Sequence, residues 1–230
     1  MPPDPLLARL LPAPVSCAER FGDACEPAGL PAERAVIAHA VPSRRGAYLV
    51  VRDCARVALD ELGLPPAVIG SGPQREPHWP PGVVGSLTHC AGYQAAAVAR
   101  AEQVRSLGID AEPHEALPPG VLDLVALPEE RAALTGLGSG VHGDRLLFCA
   151  KEAVYKAWFP LTGEWLGFEE AGVRFETTAL DPAGGRFSAR LLRPAPVIEG
   201  TQLGCFSGWW LVAGGLVLAA VLVPAGMQVL

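Results

Sequence analysis

Three acidic residues in two short segments could bind a metal ion. Asp110 and Glu112 lie in the segment 107–112 (Leu-Gly-Ile-Asp-Ala-Glu), and Glu152 lies in the segment 148–156 (Phe-Cys-Ala-Lys-Glu-Ala-Val-Tyr-Lys). In an extended strand, residues two apart point to the same side, so Asp110 and Glu112 can converge on one point. Mg²⁺ prefers oxygen ligands from a few carboxylates together with phosphate oxygens and water. The three carboxylates are therefore candidate ligands for a metal ion that acts on a phosphate-bearing substrate.

Two lysines flank the third acid. Glu152 and Lys156 are four residues apart, so on a helix they share a face, and Lys151 is the immediate neighbour of Glu152. A carboxylate facing a metal and an ammonium facing a phosphate would then lie side by side. Each pattern alone also fits a simpler interpretation. Asp110 and Glu112 could lie in an ordinary solvated turn, and Glu152 and Lys156 could form a surface ion pair that stabilises the helix by about 0.3–0.5 kcal/mol. Their joint occurrence favours the site.

A third segment, Ser86-Leu87-Thr88-His89, combines two hydroxyls and an imidazole after an apolar run. At a strand end these groups can bind phosphate oxygens. A turn with local side-chain caps explains the segment equally well. A Ser–His catalytic pair is a weaker alternative, because the G-x-S-x-G elbow is missing.

Four arginines are clustered in the first third of the chain: Arg44, Arg45, Arg52 and Arg75. Guanidinium groups bind phosphate through two parallel hydrogen bonds. Arg45 and Arg52 are seven apart and share a helix face, whereas we interpret Arg44 as a solvated surface charge.

Local patterns predict the elements that position these residues. Residues 104–110 read as a strand and residues 144–158 as an amphipathic helix, ended by Pro160. Residues 44–62 read as a second long helix, with Gly63 as its cap. Residues 93–99 fit either a helix or a strand.

The remaining segments are predicted with less regular structure. Residues 1–14 are expected to be loosely packed, and the proline-rich residues 64–82 to form a long loop. The apolar residues 209–223 are divided by Gly214-Gly215, which predicts a buried hairpin rather than a membrane span.

An apolar stripe, Val121-Leu122-x-Leu124-Val125, lies in the segment 117–127 soon after the first two acids. Such a stripe is either part of the core or a docking face for a partner protein.

The overall composition limits the class of protein. The chain has 230 residues, half of them apolar, which is enough for one large or two small domains. A net charge of −6 argues against general nucleic-acid binding. The six cysteines form no C-x-x-C pair, and the N-terminus lacks the pattern of a signal peptide. We therefore expect a cytoplasmic protein with free thiols and neither nucleic acid nor membrane as a partner.

Together, the motifs resemble those of the phosphopantetheinyl transferases. Residues 108–112 followed by Phe148-x-x-Lys-Glu-Ala-x-x-Lys156 match the two signature motifs, and residues 86–89 match the third motif of the larger Sfp-like branch. Residues 72–80 and 159–166 look like the actinobacterial members of that branch.

The resemblance, which runs from about residue 30 to residue 225, implies a specific activity. Members of the family move the 4′-phosphopantetheine arm of coenzyme A (CoA) onto a serine of an apo acyl or peptidyl carrier protein. Mg²⁺ bridges the CoA pyrophosphate, and 3′,5′-ADP leaves. The implied fold is α+β, with two similar α/β lobes related by a pseudo-two-fold axis and CoA in the cleft between them. We expect these lobes to comprise residues 1–106 and 107–230 of a monomer.

The family also implies roles for individual residues. Metal binding is assigned to Asp110, Glu112 and Glu152. Catalysis is assigned to Asp110, Glu152 and Lys156. Contacts to the phosphates of CoA are assigned to Arg45, Arg52, Arg75, Ser86, His89, Lys151 and Lys156. The base that takes the serine proton is Glu152, a water molecule or Glu129. Around Ser43–Arg45 the chain departs from the family pattern, so the 3′-phosphate contacts there stay open.

Two other functions compete with this interpretation. The first is a different Mg²⁺-dependent nucleotide phosphoryl-transfer enzyme or phosphohydrolase, which would not need the apolar stripe as a docking face. The second is a catalytically silent CoA-binding protein, which the presence of all three acids and both lysines disfavours.

Overall fold

Runs of helices and runs of strands follow one another along the described part of the chain, which comprises residues 4–23, 27, 29–138, 140–178 and 181–226 of a computed structural model. The helices are α1 (Leu7–Leu10), α2 (Pro31–Val36), α3 (Pro42–Glu61), α4 (Val121–Val125), α5 (Pro128–Leu134) and α6 (Gly143–Thr162). The strands are β1 (Ser16–Phe21), β2 (Gly70–Ser71), β3 (Pro77–His78), β4 (Val83–Cys90), β5 (Tyr93–Arg100), β6 (Val104–Pro113), β7 (Ala171–Thr178), β8 (Asp181–Leu191), β9 (Val197–Ile198), β10 (Thr201–Gln202), β11 (Cys205–Ala213) and β12 (Leu216–Pro224). The mixed helix-and-sheet class predicted from the sequence is confirmed.

Two sheets carry one long helix each. The first sheet has the strand order β1-β5-β4, and α3 packs on it. The second has the order β6-β12-β11-β8-β7, and α6 packs mainly on β6 and β12. All pairings within both sheets are antiparallel. The predicted boundary between the two lobes, at residues 106/107, falls inside β6. The division of the chain into these lobes stays a prediction.

Strands β4 and β6 lie side by side and join the two sheets. Side-chain hydroxyls make hydrogen bonds across this contact: Ser86 Oγ accepts the N–H of Ile109 at 3.0 Å, and Thr88 Oγ1 accepts the N–H of Ala111 at 3.0 Å. We call this contact the seam. It brings the hydroxyls of the third motif next to Asp110.

Apolar residues from both sheets form one shared cluster. Tyr93 and Ala95 of β5 pack in it with Leu107 and Ile109 of β6 and Leu218 of β12. Burial of these side chains stabilises the folded state by about 25 cal/mol per Å² of apolar surface removed from water. The shared cluster therefore holds the strands of the seam in place.

Several predictions about the elements are confirmed. The strand at 104–110 and the helix at 44–62 are present as β6 and α3, and residues 93–99 form strand β5. Residues 209–213 and 216–223 pair as an antiparallel hairpin. Both hairpin glycines have a positive φ, 60° at Gly214 and 77° at Gly215, as a two-residue turn of this kind requires.

Two predictions about chain segments are wrong. Pro160 does not end the signature helix, because it lies in the last turn of α6, where the missing N–H removes only one intrahelical bond. The helix ends at Thr162 and is capped by Gly163, which has a φ of 67°. Residues 1–14 are not loosely packed in their described part, since the leucines at 6, 7, 10 and 11 are buried.

The described residues contain no helix that is both long and apolar enough to cross a membrane. Five cysteines are free thiols, of which Cys54 and Cys149 are buried and Cys205 is exposed. Cys25 lies outside the described residues.

Candidate active site

A close contact between α6 and β6 sets the position of the acidic cluster. A Cβ atom at Gly108 would lie 2.0 Å from the carbonyl oxygen of Ala153, so only glycine permits this approach. Ser106 of the same strand donates a hydrogen bond to the carbonyl of Ala157 at 2.6 Å. The helix therefore lies directly on the strand, and residues that follow Gly108 along β6 come next to Glu152 and Lys156.

Asp110 is the most buried of the three predicted acids, with 6 % of its surface exposed. Its Oδ1 accepts hydrogen bonds from Lys156 Nζ at 2.7 Å and from the hydroxyl of Thr88 at 3.3 Å. Its Oδ2 is buried and has no hydrogen-bond partner among the described residues. A buried carboxylate oxygen without a partner is costly unless a cation or a donor reaches it.

Lys156 bridges the seam. Its ammonium group donates to the carbonyl of Leu87 at 3.3 Å, to the carbonyl of Ile109 at 3.0 Å and to Asp110. Burial alone would lower the pKa of Lys156, but the carboxylates of Asp110 and Glu152 raise it above its usual value. The side chain is therefore a fixed positive charge beside Asp110.

Glu152 lies near the other two acids and makes no hydrogen bond or ion pair with a side chain in the described ranges. Burial raises the pKa of its carboxyl group, and the charges of Asp110 and Glu112 raise it further, while Lys156 opposes them. A carboxylate with a raised pKa is a better proton acceptor near neutral pH.

Glu112 is held by a residue that the sequence analysis did not select. Its Oε2 accepts a hydrogen bond from Arg145 Nη1 at 2.9 Å. Burial and then Asp110 raise the pKa of Glu112, whereas Arg145 lowers it. The sequence offered no signal for Arg145, because its partner is 33 residues away.

The acids are close enough to influence one another, but they do not form a ready-made metal cage. In residues 4–23, 27, 29–138, 140–178 and 181–226, no group of three or more His, Cys, Asp or Glu side chains is arranged to hold a metal ion. The donors nevertheless suit a hard cation, because Asp110 Oδ2 has no partner and Glu152 is uncommitted. Mg²⁺ usually takes one or two carboxylates and completes its shell with water and substrate phosphates.

The third motif is divided between two environments. Ser86 is buried in the seam, where its hydroxyl accepts a backbone N–H, so in this structure it does not face a ligand. His89 is partly exposed to solvent, with its ring packed against neighbouring groups. This partial burial and the charges of Lys156, Arg44 and Arg52 lower the pKa of His89, while Asp110 opposes them. Three cationic side chains and one carboxylate therefore act on His89.

The guanidinium group of Arg52 makes its hydrogen bonds to other residues of this protein. Its Nε donates to the carbonyl of Ile69 at 2.8 Å, its Nη1 to that of Tyr48 at 3.1 Å and its Nη2 to the hydroxyl of Ser71 at 2.8 Å. The guanidinium also stacks on the ring of Tyr48, with its carbon 3.2 Å from the ring centroid. Burial lowers its pKa to about 10, against the opposing effect of Tyr48 and Glu33. The structure therefore makes Arg52 a support for the segment that leads to β2.

The other arginines lie in different surroundings. Arg45 is half-buried and donates to the carbonyl of Ala40 at 3.1 Å. Arg44 is exposed, as predicted for a surface charge, and is also close enough to His89 to lower the pKa of that residue. Arg75 is exposed at the tip of the β2–β3 hairpin with a φ of 69°, so the turn holds its side chain in solvent.

Lys151 lies apart from the acidic cluster. Its Nζ donates to Glu130 at 2.8 Å and to the carbonyls of Val125 at 3.0 Å and Phe168 at 2.6 Å, which uses all three protons. Lys151 and Glu130 are both buried, with 4 % and 3 % of their surfaces exposed. The predicted contact of Lys151 with a CoA phosphate is therefore not supported by this geometry.

A pocket of about 300 Å³ lies beside Glu152. Aromatic side chains form much of its wall: Tyr155, Trp165 and Phe168. The rings of Tyr155 and Trp165 are in contact, with centroids 4.9 Å apart. Of the three acids, Glu152 lines this aromatic pocket.

Comparison with known proteins decides the family. Residues 32–99 match the family model described as the 4′-phosphopantetheinyl transferase N-terminal domain, and residues 106–201 match that of the 4′-phosphopantetheinyl transferase superfamily. The chain is 52 % identical over 223 residues to the 4′-phosphopantetheinyl transferase PptT of Mycobacterium tuberculosis, covering 94 % of this chain and 97 % of that protein. The chain belongs to the 4′-phosphopantetheinyl transferase superfamily.

Two further relatives agree with this membership. The transferase is 52 % identical over 219 residues to Npt of Nocardia iowensis, which covers 94 % of this chain and 99 % of that protein. It is 51 % identical over 229 residues to Svp of Streptomyces mobaraensis, which covers 96 % of this chain and 91 % of that protein. The predicted family and enzyme class, a 4′-phosphopantetheinyl transferase, are confirmed.

Proposed function

We propose that this transferase moves the 4′-phosphopantetheine group of CoA onto a serine of an apo acyl or peptidyl carrier protein. The strongest support from the site is the group formed by Asp110, Glu152 and Lys156 where α6 crosses β6. It places an unpartnered carboxylate oxygen, a carboxylate with a raised pKa and a fixed ammonium group in one neighbourhood. Phosphoryl transfer depends mostly on positioning and charge neutralisation, which these groups can provide.

In the proposed reaction, the serine Oγ attacks the phosphorus that bears the pantetheine arm. The bond from that phosphorus to the bridging pyrophosphate oxygen breaks, and 3′,5′-ADP leaves. Glu152 takes the serine proton, directly or through water, with a carboxylate that is not engaged by another side chain of the described residues. Glu129, the alternative base, is exposed at the start of α5, where its charge acts on Lys151.

Asp110 and Glu152 are the residues that would hold Mg²⁺, with Glu112 as a third ligand through its free oxygen. The ion would neutralise charge on the pyrophosphate and on the leaving group. Lys156 would contact the same pyrophosphate by exchanging one of its carbonyl bonds. We assign Arg44, His89 and Arg75 to the CoA phosphates, because Arg44 lies close enough to His89 to act on its pKa and an imidazole N–H can donate to a phosphate oxygen. Ser86, Arg52, Arg45 and Lys151 support the surrounding elements.

The finer description of the fold belongs to the same proposal. We propose two related lobes, each built from one sheet and its 20-residue helix, α3 or α6. CoA would lie along the seam between them, and the pocket beside Glu152 would receive the pantetheine arm. Such a chain completes its site by itself, so we propose a monomer that works in the cytoplasm.

The carrier protein would dock on the segment 117–127. Of the apolar stripe, Val125 is buried and Val121 and Leu122 pack on the core, but Leu124 is 78 % exposed. Helix α4 contacts the turn at Phe168–Glu170, part of which lines the pocket beside Glu152. Since this transferase and typical carrier proteins are both acidic, apolar contact should supply much of the affinity.

One experiment tests the reaction. The protein is incubated with apo-carrier protein, CoA and Mg²⁺, and the carrier is weighed by mass spectrometry. We expect the carrier to gain one phosphopantetheine group and the solution to gain 3′,5′-ADP. If nucleotide product is released without modification of the carrier, the protein is instead a phosphohydrolase.

A matched pair of variants tests the docking surface. Leu124→Asp should raise the KM for the carrier about tenfold, since a charge replaces an apolar contact, and leave the KM for CoA unchanged. Val57→Asp is the control, because Val57 is also exposed, at 54 %, but lies on α3. Equal kinetics of the two variants would place the docking surface elsewhere.

A further inference from the structure

Arg145 makes contacts that the proposed reaction does not yet use. It lies in the first turn of α6 and is buried. Besides its bond to Glu112, its Nε donates to the carbonyl of Glu115 at 3.1 Å and its Nη2 to the carbonyl of Ala116 at 3.0 Å. One guanidinium group therefore holds a carboxylate of the acidic cluster and two carbonyls of the following segment.

Helix α6 anchors that segment at both ends. At the first end, Asp144 Oδ2 accepts the N–H of Leu117 at 2.7 Å, next to the bonds made by Arg145. At the other end, Lys151 donates to the carbonyl of Val125, as described above. Between these anchors lies α4 with the exposed Leu124. The helix that carries Glu152 thus also sets the position of the segment proposed to meet the carrier.

We propose that Arg145 is a positioning residue that fixes Glu112 and the start of the segment 115–127 in one arrangement; this rests on the function proposed above. The five N–H donors of a guanidinium lie in one rigid plane, so a shift of the Glu112 carboxylate is resisted by the bonds to Glu115 and Ala116. Lysine cannot reproduce three divergent bonds with the same geometry.

The arrangement leaves Glu112 able to bind a cation. Arg145 uses Oε2, and Oε1 of Glu112 makes no hydrogen bond to a described residue. Partners that orient a ligating side chain typically change metal affinity about 10–100-fold when they are removed. Arg145 would therefore act on the metal through Glu112 and on the carrier through residues 115–117.

The experiment compares Arg145→Gln with Glu112→Gln, with the double variant and with the control Arg105→Gln. Arg105 is a suitable control because it also forms an ion pair, with Glu199, at the opposite end of β6 from Glu112. Each variant is measured in two ways. Mn²⁺ binding is titrated by electron paramagnetic resonance without CoA or carrier, and KM for the carrier and kcat are measured in the transfer assay.

We expect Arg145→Gln to weaken Mn²⁺ binding about tenfold and to raise the KM for the carrier about tenfold. Glu112→Gln should weaken Mn²⁺ binding but leave the KM for the carrier unchanged. The double variant should bind Mn²⁺ as Glu112→Gln does, because Arg145 acts through that carboxylate, and should keep the raised KM. Arg105→Gln should behave as the wild type in both measurements.

Three results would overturn the proposal: wild-type behaviour of Arg145→Gln, tighter Mn²⁺ binding by it, or additive losses of Mn²⁺ affinity in the double variant. If Arg145→Gln does not fold, Arg145→Lys, which retains the charge, must show the raised KM for the carrier. If the wild-type protein transfers nothing, the proposed function fails, but the Mn²⁺ titrations still test the link between Arg145 and Glu112.

Discussion

Replacing Lys151 with methionine separates the role that the structure supports from the role that the family resemblance implied. The substitution keeps the length of the side chain and removes the ammonium group. Glu130 would then be a buried carboxylate without its cation, and the carbonyls of Val125 and Phe168 would lose their donor. The expected result is a large loss of stability rather than a specific loss of CoA binding.

The contacts allow an estimate of this loss. Breaking a buried ion pair from one side typically costs about 3–5 kcal/mol. Glu130 keeps two backbone bonds, to the N–H groups of Val173 at 2.7 Å and Leu127 at 2.8 Å, which favours the lower end of that range. For a chain of 150–250 residues, each kcal/mol lowers the unfolding midpoint by about 2–4 °C. We therefore expect Lys151→Met to unfold about 6–15 °C below the wild type.

Thermal unfolding followed by circular dichroism measures the change, with Arg131→Met as the control. The control removes an exposed ion pair and should cost about 0.5 kcal/mol or less. The double variant Lys151→Met with Glu130→Gln should recover part of the loss, because the buried charge is then absent.

A different result would refute this reasoning. If Lys151→Met unfolds within 2 °C of the wild type, at about the value expected for the control, and the KM for CoA rises about tenfold, then Lys151 contacts the CoA phosphates, as the motif suggested.

Three further predictions follow from the site. Glu152→Gln should abolish transfer and, at pH 7–8, raise the unfolding midpoint of the protein without CoA or metal. Because the folded-state pKa of Glu152 is raised, ionisation of Glu152 costs stability as the pH rises through that pKa. The difference between the variant and the wild type should vanish below the unfolded pKa near 4.5, which unfolding scans across pH can measure. Gly108→Ala should destabilise the protein by about 3 kcal/mol or more in urea unfolding, because its Cβ would lie 2.0 Å from the carbonyl oxygen of Ala153, whereas Gly136→Ala, with open space around it, should change little. Lys156→Ala should raise the pKa of His89 in an NMR titration, because the ammonium group of Lys156 lowers it in the wild type; an unchanged or lower value would mean that the two side chains are not neighbours.

The sequence by itself determined the family, the enzyme class and the main elements of the chain. The spacing in Gly108-x-Asp110-x-Glu112 and Lys151-Glu152-x-x-x-Lys156 identified the motifs, and local periodicity predicted β6, α3 and the hairpin around Gly214-Gly215. These features depend on residues that are near one another in the chain. The local pattern of residues is therefore sufficient to predict these features.

Tertiary structure decided what each charged side chain does. Lys151 and Lys156 are five residues apart on one helix, yet Lys151 pairs with Glu130 in the core while Lys156 reaches Asp110 at the seam. The guanidinium group of Arg52 donates hydrogen bonds to Tyr48, Ile69 and Ser71, and Glu112 accepts a hydrogen bond from Arg145. The energy of such contacts depends on burial and on partners that are distant in the sequence, such as Asp110, which lies 46 residues from Lys156. The spacing of residues in the sequence shows neither burial nor distant partners. Only the folded structure therefore shows which cationic side chains stabilise the fold and which are available to bind a phosphate.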